Sequence, residues 1–484
     1  MDGTGSGAAS GDGLVQVIAA LALLFFAAPG ASGPIDIAGW EKFFARHYDY
    51  TLVETAGLER TYEPIEVTLS MPVDQLSGWR QHVRVVRLES DQRGVLVPHQ
   101  IAGGIAAAPE STDTAAGPAP AANANLIFLA HCAAHSEVTY RLFWGLPEAR
   151  AGARPELPQA RAADALQISD TMPGLSIRNE YYAIRLDARS GAIEAAARMG
   201  LEGAGAIDFF QRERPIHFGA DVWSPPDKWD HDHDWQRPPN QNSESGPLAL
   251  RYRRWGPMPH YRDVLCSITY TFYAHVPYVH VETTLEFTRP RSVRAIRMGE
   301  IVATSTRKPL ETPPDAAHNL RDVFSHFAWP LEDGSVFSRR INAHRDPEGW
   351  ASIDGMARGA LAILERDIPW IAAYSISGKY GIASLRKAQF AGNRRGGPVV
   401  HSAPCTYVAN YGWGFSYWSR PMVFPMGEKG TALDRNLAVA AGTLYATDEA
   451  LLIFAVDPEL DQVHRAHLQF TRPLRFRFAG TGPW

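Results

Sequence analysis

Apolar residues recur at every second position through much of the chain, which is the spacing of β-strands with one buried face. The segments Val264–Ala274 and Tyr278–Phe287 alternate in this way and are separated by a turn at 275–277. A second pair of such segments, Trp370–Ile376 and Lys379–Arg386, flanks a Ser-Gly turn. Because long segments with helical spacing do not separate the strands, the sequence predicts a mainly β protein whose largest part is an antiparallel β-sandwich.

The length of 484 residues exceeds the usual size of a single hydrophobic core, so more than one structural unit is expected. Residues 34–165 are predicted to form a small N-terminal β-barrel-like domain, with a short helix at Ile37–Tyr48 and a flexible Ala- and Pro-rich excursion at 105–125. Residues 166–484 are predicted to form a large antiparallel β-sandwich of the supersandwich type.

An apolar segment, Leu14–Ala28, is followed by small residues up to Gly33. It is short for a membrane span and has the small-residue exit of a secretory signal, although no Lys or Arg precedes it. We therefore expect residues 1–33 to be a signal peptide or an N-terminal anchor, and the protein to be secreted or periplasmic. No other segment is apolar enough to predict an integral membrane domain.

Composition excludes several classes of function. The formal net charge is −5 and the Lys and Arg residues form no basic stripe, so nucleic acid is not expected as a partner. The sequence contains no serine-hydrolase elbow, phosphate-binding loop, His-Glu-x-x-His motif or dinucleotide-binding glycine motif. The 3 cysteines have no Cys-x-x-Cys spacing and are predicted to be buried thiols.

Half of the residues in Tyr407–Trp418 are aromatic. Read as a single strand, the segment places Tyr411, Trp413, Phe415 and Tyr417 on one face and small residues on the other. Tyr and Trp combine a flat apolar ring with a polar tip, which suits the stacking of sugar rings, and Arg420 follows closely. The alternative is a sheet core in which these rings pack against a second layer.

A second candidate is the pentapeptide Asp230–Asp234, which lies in a Pro- and Trp-rich loop, Trp223–Trp235. In an extended chain, His231 and His233 share one face. Such a pair can bind a divalent metal, or one imidazole can act as a substrate-facing base while the other adjusts its pKa. The pair can also belong to an ordinary polar loop, and all three interpretations stay open. Period-two alternation also predicts that Arg297 and Glu300 lie on opposite faces of one strand and do not pair.

The segment Asn179–Ile193 joins a strand to an Asp-x-x-Ser-Gly turn in which Asp187 can cap the turn and Gly191 can supply positive φ. This motif looks like the opening of the large β-sandwich domain of several glycan-processing enzymes. The predicted layout, a small β domain and then a large sandwich, is similar to that of exo-rhamnogalacturonan-lyase-like proteins. The chain departs from that family after the sandwich, because Pro458–Trp484 is too short for the family's C-terminal α/α-toroid. No catalytic residue is carried over from the motif.

The sequence therefore predicts an exported carbohydrate-active enzyme, and favours a polysaccharide lyase that acts by β-elimination on a uronic-acid-containing polysaccharide or oligosaccharide. Elimination needs a group that neutralises the carboxylate, a base, and an acid for the leaving oxygen. The alternatives are a glycoside hydrolase, which needs two suitably spaced carboxylates, and a non-catalytic glycan-binding or surface protein. The predicted catalytic residues are His231, His233, Tyr417 and Arg420, and the predicted substrate-binding residues are Asn393, Tyr407, Tyr411, Trp413 and Trp418.

Overall fold

The computed structural model describes most of the chain from Pro34 to Arg477. The described residues are 34–44, 46–72, 83–90, 93–102, 121–144, 166–199, 207–208, 218–304, 324, 326–345, 351–353, 362–364, 367–376, 378–402, 405–411, 415–423 and 436–477.

The elements follow one another as three groups. Residues 34–144 contain β1 (Ile35–Asp36), α1 (Ile37–Phe43), β2 (Arg46–Val53), β3 (Arg60–Pro72), β4 (Arg84–Leu88), β5 (Arg93–Val97), β6 (His99–Ala102), β7 (Ala121–Cys132) and β8 (Glu137–Trp144). Residues 166–304 contain β9 (Gln167–Ser169), β10 (Ser176–Arg178), β11 (Tyr182–Leu186), β12 (Ile193–Arg198), β13 (Ile207–Asp208), β14 (Gly219–Trp223), β15 (Trp229–His231), β16 (Asn240–Ser245), β17 (Ala249–Pro257), β18 (Val264–Tyr273), β19 (Tyr278–Phe287), β20 (Arg291–Val293) and β21 (Ala295–Thr304). Residues 324–477 contain β22 (His326–Pro330), β23 (Val336–Arg345), β24 (Ala351–Ile353), β25 (Ala362–Leu364), β26 (Trp370–Ser375), β27 (Tyr380–Asn393), β28 (Thr406–Tyr411), β29 (Phe415–Val423), β30 (Leu437–Val439), β31 (Thr443–Ala455), α2 (Asp461–Thr471) and β32 (Arg475–Arg477).

The N-terminal part consists of two antiparallel sheets around one apolar core. The first sheet has the order β1-β5-β4-β8-β2-β32, and the second has the order β3-β7-β6. Leu52 and Leu142 of the first sheet and Phe128 of the second are buried in the shared core. The predicted short helix exists but ends at Phe43, because the chain from Arg46 onwards pairs with β8 instead.

The Ala- and Pro-rich excursion predicted at 105–125 is wrong for residues 121–125, and residues 105–120 lie outside the described residues. Strand β7 already begins at Ala121, where it pairs with Pro72 of β3. Backbone pairing with a neighbouring strand outweighs the weak strand preference of the Ala-Asn sequence here.

The centre of the molecule is a ten-stranded antiparallel sheet with the order β16-β17-β18-β19-β31-β27-β26-β22-β23-β24. Both of its faces are covered. One faces the six-stranded sheet β15-β14-β21-β29-β28-β25 and the five-stranded sheet β13-β12-β11-β10-β9, and the other faces β6, β7 and α2. Burial on both faces explains why every residue of Trp370–Ser375 is buried and why that stretch does not alternate. The fold is thus mainly β and built from packed antiparallel sheets, as the sequence predicts.

Several local predictions are confirmed. Strands β18 and β19 pair along their length, as do β26 and β27. In the turn after β11, Asp187 accepts hydrogen bonds from the backbone N–H of Ser190 at 2.7 Å and from its hydroxyl at 2.8 Å, and Gly191 has φ +68°. Cys132, Cys266 and Cys405 are buried free thiols.

Within the described part of the chain, no helix combines the length and apolar character needed to span a bilayer. The apolar segment Leu14–Ala28 lies outside the described residues, so the predictions of a leader or anchor and of export stay predictions.

Candidate active site

Three neighbouring strands bring polar side chains into one row on the six-stranded sheet. The register pairs Asp221 of β14 with His231 of β15 on one side and with Arg297 of β21 on the other. Directly paired residues share a face of an antiparallel sheet, so these three side chains lie side by side. The alternating residues Ala220, Val222 and Ile296 are fully buried against the ten-stranded sheet, which places the polar row on the opposite face.

Arg297 is held by two carboxylates. Its Nε donates to Asp221 Oδ1 at 3.1 Å and its terminal nitrogen donates to Oδ2 at 2.5 Å. The other terminal nitrogen lies 3.0 Å from Glu300 Oε2. Asp221 is fully buried, and burial alone would raise its pKa, but the charge of Arg297 and the neighbouring His231 hold the pKa below its ordinary value.

The prediction that Arg297 and Glu300 lie on opposite faces and do not pair is wrong. The pairing of β21 with β29 shifts register between Met298 and Ile301, and Gly299 has φ +56°. This β-bulge inserts an extra residue, so that Glu300 returns to the face of Arg297. The period-two rule fails at this point because it assumes an uninterrupted strand.

His231 combines partial exposure with a buried anionic neighbour. Its side chain is 21% exposed, and its Nδ1 lies 3.6 Å from Oδ2 of Asp221, which is 0% exposed. Burial alone would lower the pKa of His231, but Asp221, followed by Glu300 and Asp234, raises it above the ordinary value of 6.5. An imidazole that has a carboxylate partner and touches solvent is suited to general acid–base chemistry.

Four aromatic rings form a row along the same edge of the sheet. The centroids of Trp223 and Trp229 are 5.3 Å apart, those of Trp229 and His231 are 6.2 Å apart, and those of His231 and His233 are 4.9 Å apart. The planes of successive rings differ by 21°, 12° and 36°. Arg297 supports this row, since its guanidinium carbon lies 4.1 Å from the centroid of Trp229. Flat rings beside a polar cluster form a surface on which a sugar ring can stack.

The segment predicted as the loop Trp223–Trp235 is largely ordered secondary structure. It contains the turn between β14 and β15 and then a single 3-10 turn at Asp232–Asp234. The pentapeptide is therefore not extended throughout, although the rings of His231 and His233 still adjoin each other, and Asp230 and Asp232 are fully buried. Asp230 accepts from the backbone N–H groups of His260 and Tyr261 at 2.9 and 2.6 Å.

His233 is more enclosed than His231, with 5% of its side chain exposed, and its Nε2 lies 3.5 Å from Asp234 Oδ1. In the described parts of the chain, no group of at least three His, Cys, Asp or Glu side chains is arranged to hold a metal ion. A divalent metal at His231 and His233 therefore stays a prediction, and the site is interpreted below through its protein groups alone.

The aromatic segment is a hairpin and not the single strand that its alternation predicts. Strands β28 and β29 pair Tyr411 with Phe415, Ala409 with Tyr417 and Tyr407 with Ser419. The two strands run antiparallel to each other, so residues that one continuous strand would align lie on opposite arms of the hairpin. Trp413 lies outside the described residues.

One residue of this hairpin reaches the polar cluster. Tyr407 is buried, and its ring centroid lies 5.9 Å from the guanidinium carbon of Arg297. The structure thus brings together three of the sequence-predicted residues, His231, His233 and Tyr407. The roles of Tyr411 and Tyr417, whose backbones are placed by strand pairing alone, stay predictions.

Three other sequence-predicted residues lie elsewhere. Trp418 is fully buried, and its ring meets Phe327 edge to face at 6.0 Å, which is the placement of a core residue. Asn393 stabilises its own turn, donating to Ala441 O at 3.1 Å and accepting from Arg395 N–H at 2.8 Å.

Arg420 is buried between the sheets, where it binds Asp367 and lies 3.2 Å from Glu449 Oε1. Two carboxylates already balance its charge. Its predicted role in neutralising a substrate carboxylate stays a prediction, and the site described here does not use it.

Sequence reasoning missed Asp221, Arg297, Glu300 and the ring pair Trp223–Trp229. A signal was present in Gly219–Trp223, where Asp221 interrupts a strand of small and apolar residues. A carboxylate in such a strand is typical of either a solvent-facing position or a buried partner for a cation. Only the pairing with β21, distant in sequence, distinguishes these two cases.

No family model matches the sequence, and comparison with curated proteins gives no significant match. Among solved structures, the chain is similar to an α-mannosidase from Enterococcus faecalis V583, with 11% identity and a TM-score of 0.47, over 90% of this chain and 46% of that chain. It is similar at 11% identity and a TM-score of 0.47 to a protein in glycosyl hydrolase family 38 from Enterococcus faecalis, over 91% of this chain and 48% of that chain. A galactose mutarotase related enzyme from Lactobacillus acidophilus is similar over 59% of this chain and 98% of that chain, with 10% identity and a TM-score of 0.31.

The chain thus spans less than half of the length of the two Enterococcus faecalis structures. At these identities and TM-scores a likeness carries no argument about activity. The function is therefore argued from the site itself.

Proposed function

We propose that this protein is a carbohydrate-active enzyme and that His231 is its proton-transferring group. The observation that carries the proposal is the position of a partly exposed imidazole within a row of aromatic rings and beside the buried carboxylate of Asp221. The rings provide a stacking surface for a sugar, and Asp221 orients the imidazole and raises its pKa.

The reaction we propose is β-elimination on a uronic-acid-containing glycan. His231 removes the C5 proton, the C4–oxygen bond breaks, and a double bond forms between C4 and C5. The imidazolium then returns its proton to the departing oxygen, so one residue can serve both proton transfers when these groups lie on the same side of the sugar. Arg294, whose guanidinium carbon lies 5.1 Å from the ring centroid of Trp223 and whose Nε donates to Asn436 Oδ1 at 3.1 Å, lies at the far end of the aromatic row from His231 and is the cation we assign to the carboxylate of a neighbouring uronic acid in the glycan.

The arrangement of carboxylates favours elimination over hydrolysis. A glycoside hydrolase needs an acid and a base or nucleophile on either side of the scissile bond. Asp221 and Glu300 are both buried and both bind Arg297, with side-chain exposures of 0% and 5%. Two carboxylates that share one guanidinium are suited to holding the cation and not to attacking a sugar.

A non-catalytic glycan-binding protein is the second candidate, because the stacked pair Trp223–Trp229 needs no base in order to hold a sugar. The resemblance to exo-rhamnogalacturonan-lyase-like proteins also remains a proposal. It rests on the Asn179–Ile193 motif and on the predicted layout of a small β domain followed by a large sandwich.

The test is incubation with polygalacturonate, rhamnogalacturonan, alginate and hyaluronate, with ultraviolet absorbance of unsaturated products as the measurement. We expect product from at least one polymer, and a loss of rate on the order of 10²–10⁴-fold in His231→Ala, the usual effect of removing a general base. His464→Ala, at an exposed position on α2, is the matched control and should retain activity. Absence of product from every polymer, or full activity of His231→Ala, would contradict the proposal, and binding without product would support the second candidate.

A further inference from the structure

A groove of about 710 Å³ lies at the edge of the ten-stranded sheet, beside the first strand of its order, β16. This volume lies within the range of small-molecule binding sites, roughly 300–1,000 Å³. Its lining residues include Trp255, Arg237, Asn240 and Gln241. A flat ring, neutral amides and one cation are the groups that bind a sugar ring bearing hydroxyls and a carboxylate.

The walls of the groove are held in place. Gly256 has φ +149°, and a Cβ at this position would lie 2.5 Å from Pro239 Cγ, so only glycine lets the proline pack this closely beside Trp255. Pro238 is buried beneath the groove. Rigid walls reduce the conformational entropy that a ligand must overcome on binding.

The polar groups of the groove are oriented as well. The guanidinium carbon of Arg253 lies 4.8 Å from the centroid of the Trp255 ring and fixes the indole on one side. Asn240, which pairs directly with Trp255, donates its side-chain N–H to Trp255 O at 3.4 Å. Arg237 is exposed at the rim.

The groove is continuous along the chain with the candidate active site. The segment that carries His231 and His233 runs through Trp235 to Arg237 and then to β16. Trp235 anchors this connection, since its indole N–H donates to Pro257 O at 2.8 Å and its ring lies 5.3 Å from the guanidinium carbon of Arg254. An ordered segment of the chain therefore joins the candidate active site to the groove.

We propose that this groove is a second binding subsite for an acidic glycan, with Trp255 as the stacking platform and Arg237 as the carboxylate partner. The proposal rests on the proposed function for the class of ligand, but it concerns binding at a place that takes no part in the proton transfer.

The test is affinity electrophoresis in gels that contain polygalacturonate, alginate or hyaluronate, with a gel of neutral hydroxyethylcellulose as the reference. Trp255→Ala should weaken retention in the gel that retards the wild-type protein by roughly tenfold, which corresponds to ~1.4 kcal/mol of binding free energy. Arg237→Ala should weaken retention in the acidic gel more than in the neutral gel. Because Trp255 lies on a strand, the melting temperature of each variant is recorded, and the exposed Arg237 keeps the test valid if Trp255→Ala fails to fold.

Phe390→Ala, which removes an aromatic side chain that is 55% exposed on another strand, and Arg178→Ala, which removes an exposed guanidinium, are the matched controls and should migrate like the wild type. Retention that is equal in Trp255→Ala, Arg237→Ala and the wild type would overturn the proposal, as would a wild type that no acidic gel retards. Unsaturated product with unaltered retention of both groove variants refutes the subsite and leaves the proposed function intact. Retention that depends on Trp255 without any unsaturated product supports the subsite and contradicts the proposed elimination reaction.

Discussion

At the scale of the residue, the protonation of His231 depends on the negative charge of Asp221. Asp221 and, to a lesser degree, Glu300 and Asp234 raise the pKa of His231 against the effect of burial. A base works in its neutral form, so the rate should rise as the pH passes upward through this pKa. We expect Asp221→Asn to lower the pKa of His231 and to move this rising limb of kcat/KM to lower pH.

The matched control is Asp234→Asn, since Asp234 is 29% exposed and is the weakest of the three carboxylates that raise the pKa of His231. It should shift the profile less. Titration of the imidazole by NMR measures the same pKa without turnover, and equal pKa values in wild type and Asp221→Asn would contradict the prediction.

Asp221→Asn should also cost about 3–5 kcal/mol of folding free energy, because it leaves the charge of Arg297 with one carboxylate fewer in a buried pair.

Individual residues of the site differ in whether the sequence alone predicts their contacts. His231 and His233 could be predicted as candidate site residues because both lie within five consecutive residues, so their proximity is visible in the sequence itself. The sequence predicts a role for Arg420 from its proximity to the aromatic segment, and it does not reveal the partners Asp367 and Glu449, because both are distant in sequence. A single guanidinium in a sequence cannot reveal which carboxylate the fold brings to it.

At the scale of the element, the bulge in β21 is what assembles the charged cluster. Gly299 has φ +56°, and a Cβ added to it would lie 1.7 Å from Oε2 of the buried Glu449. We expect Gly299→Ala to displace the bulge, separate Glu300 from Arg297 and reduce both stability and activity. Positive φ alone costs roughly 1–3 kcal/mol for a residue with a side chain, and the contact with Glu449 adds to this cost.

Gly334→Ala separates these two effects. Gly334 has φ +85° in an exposed turn, and nothing lies within 4 Å of a Cβ placed there, so this variant shows the backbone cost without a clash. Urea denaturation of both variants measures the difference. A Gly299→Ala protein as stable as Gly334→Ala, with unchanged activity, would show that the bulge does not organise the site.

Elements differ in how well the sequence predicts them, for physical reasons. The hairpin of β18 and β19 follows from alternation and a short turn, both of which are local. The segment Tyr407–Trp418 alternates too, but its glycines permit either an extended chain or a reversal, and the register with β21 and β25 decides between them. Such long-range pairing is absent from a local pattern, which is why the ladder of rings was assigned to one strand.

At the scale of the whole molecule, the C-terminus of the sandwich returns to the N-terminal sheets. Strand β32 pairs with β2, and α2 packs on the ten-stranded sheet through Val463 and Phe470. Arg60 of β3 is the polar centre of this contact. It binds Glu54 at 3.0 Å and also donates to the backbone carbonyl of Arg472 at 2.6 Å.

Arg60 therefore joins both parts of the fold through a buried charge, with its side chain only 1% exposed. We expect Arg60→Met to lower the free energy of unfolding by about 3–5 kcal/mol, since it leaves buried Glu54 and Glu63 without their cation. The matched control is Arg477→Met, because Arg477 pairs with Glu137 at the surface, where both side chains are largely exposed and an ion pair contributes ~0–1 kcal/mol. Urea denaturation of the two variants is the measurement, together with limited proteolysis of α2, which should be cleaved faster in Arg60→Met alone. Equal stability of the two variants would show that the apolar packing of Val463 and Phe470 fixes the C-terminal helix without help from the buried charge.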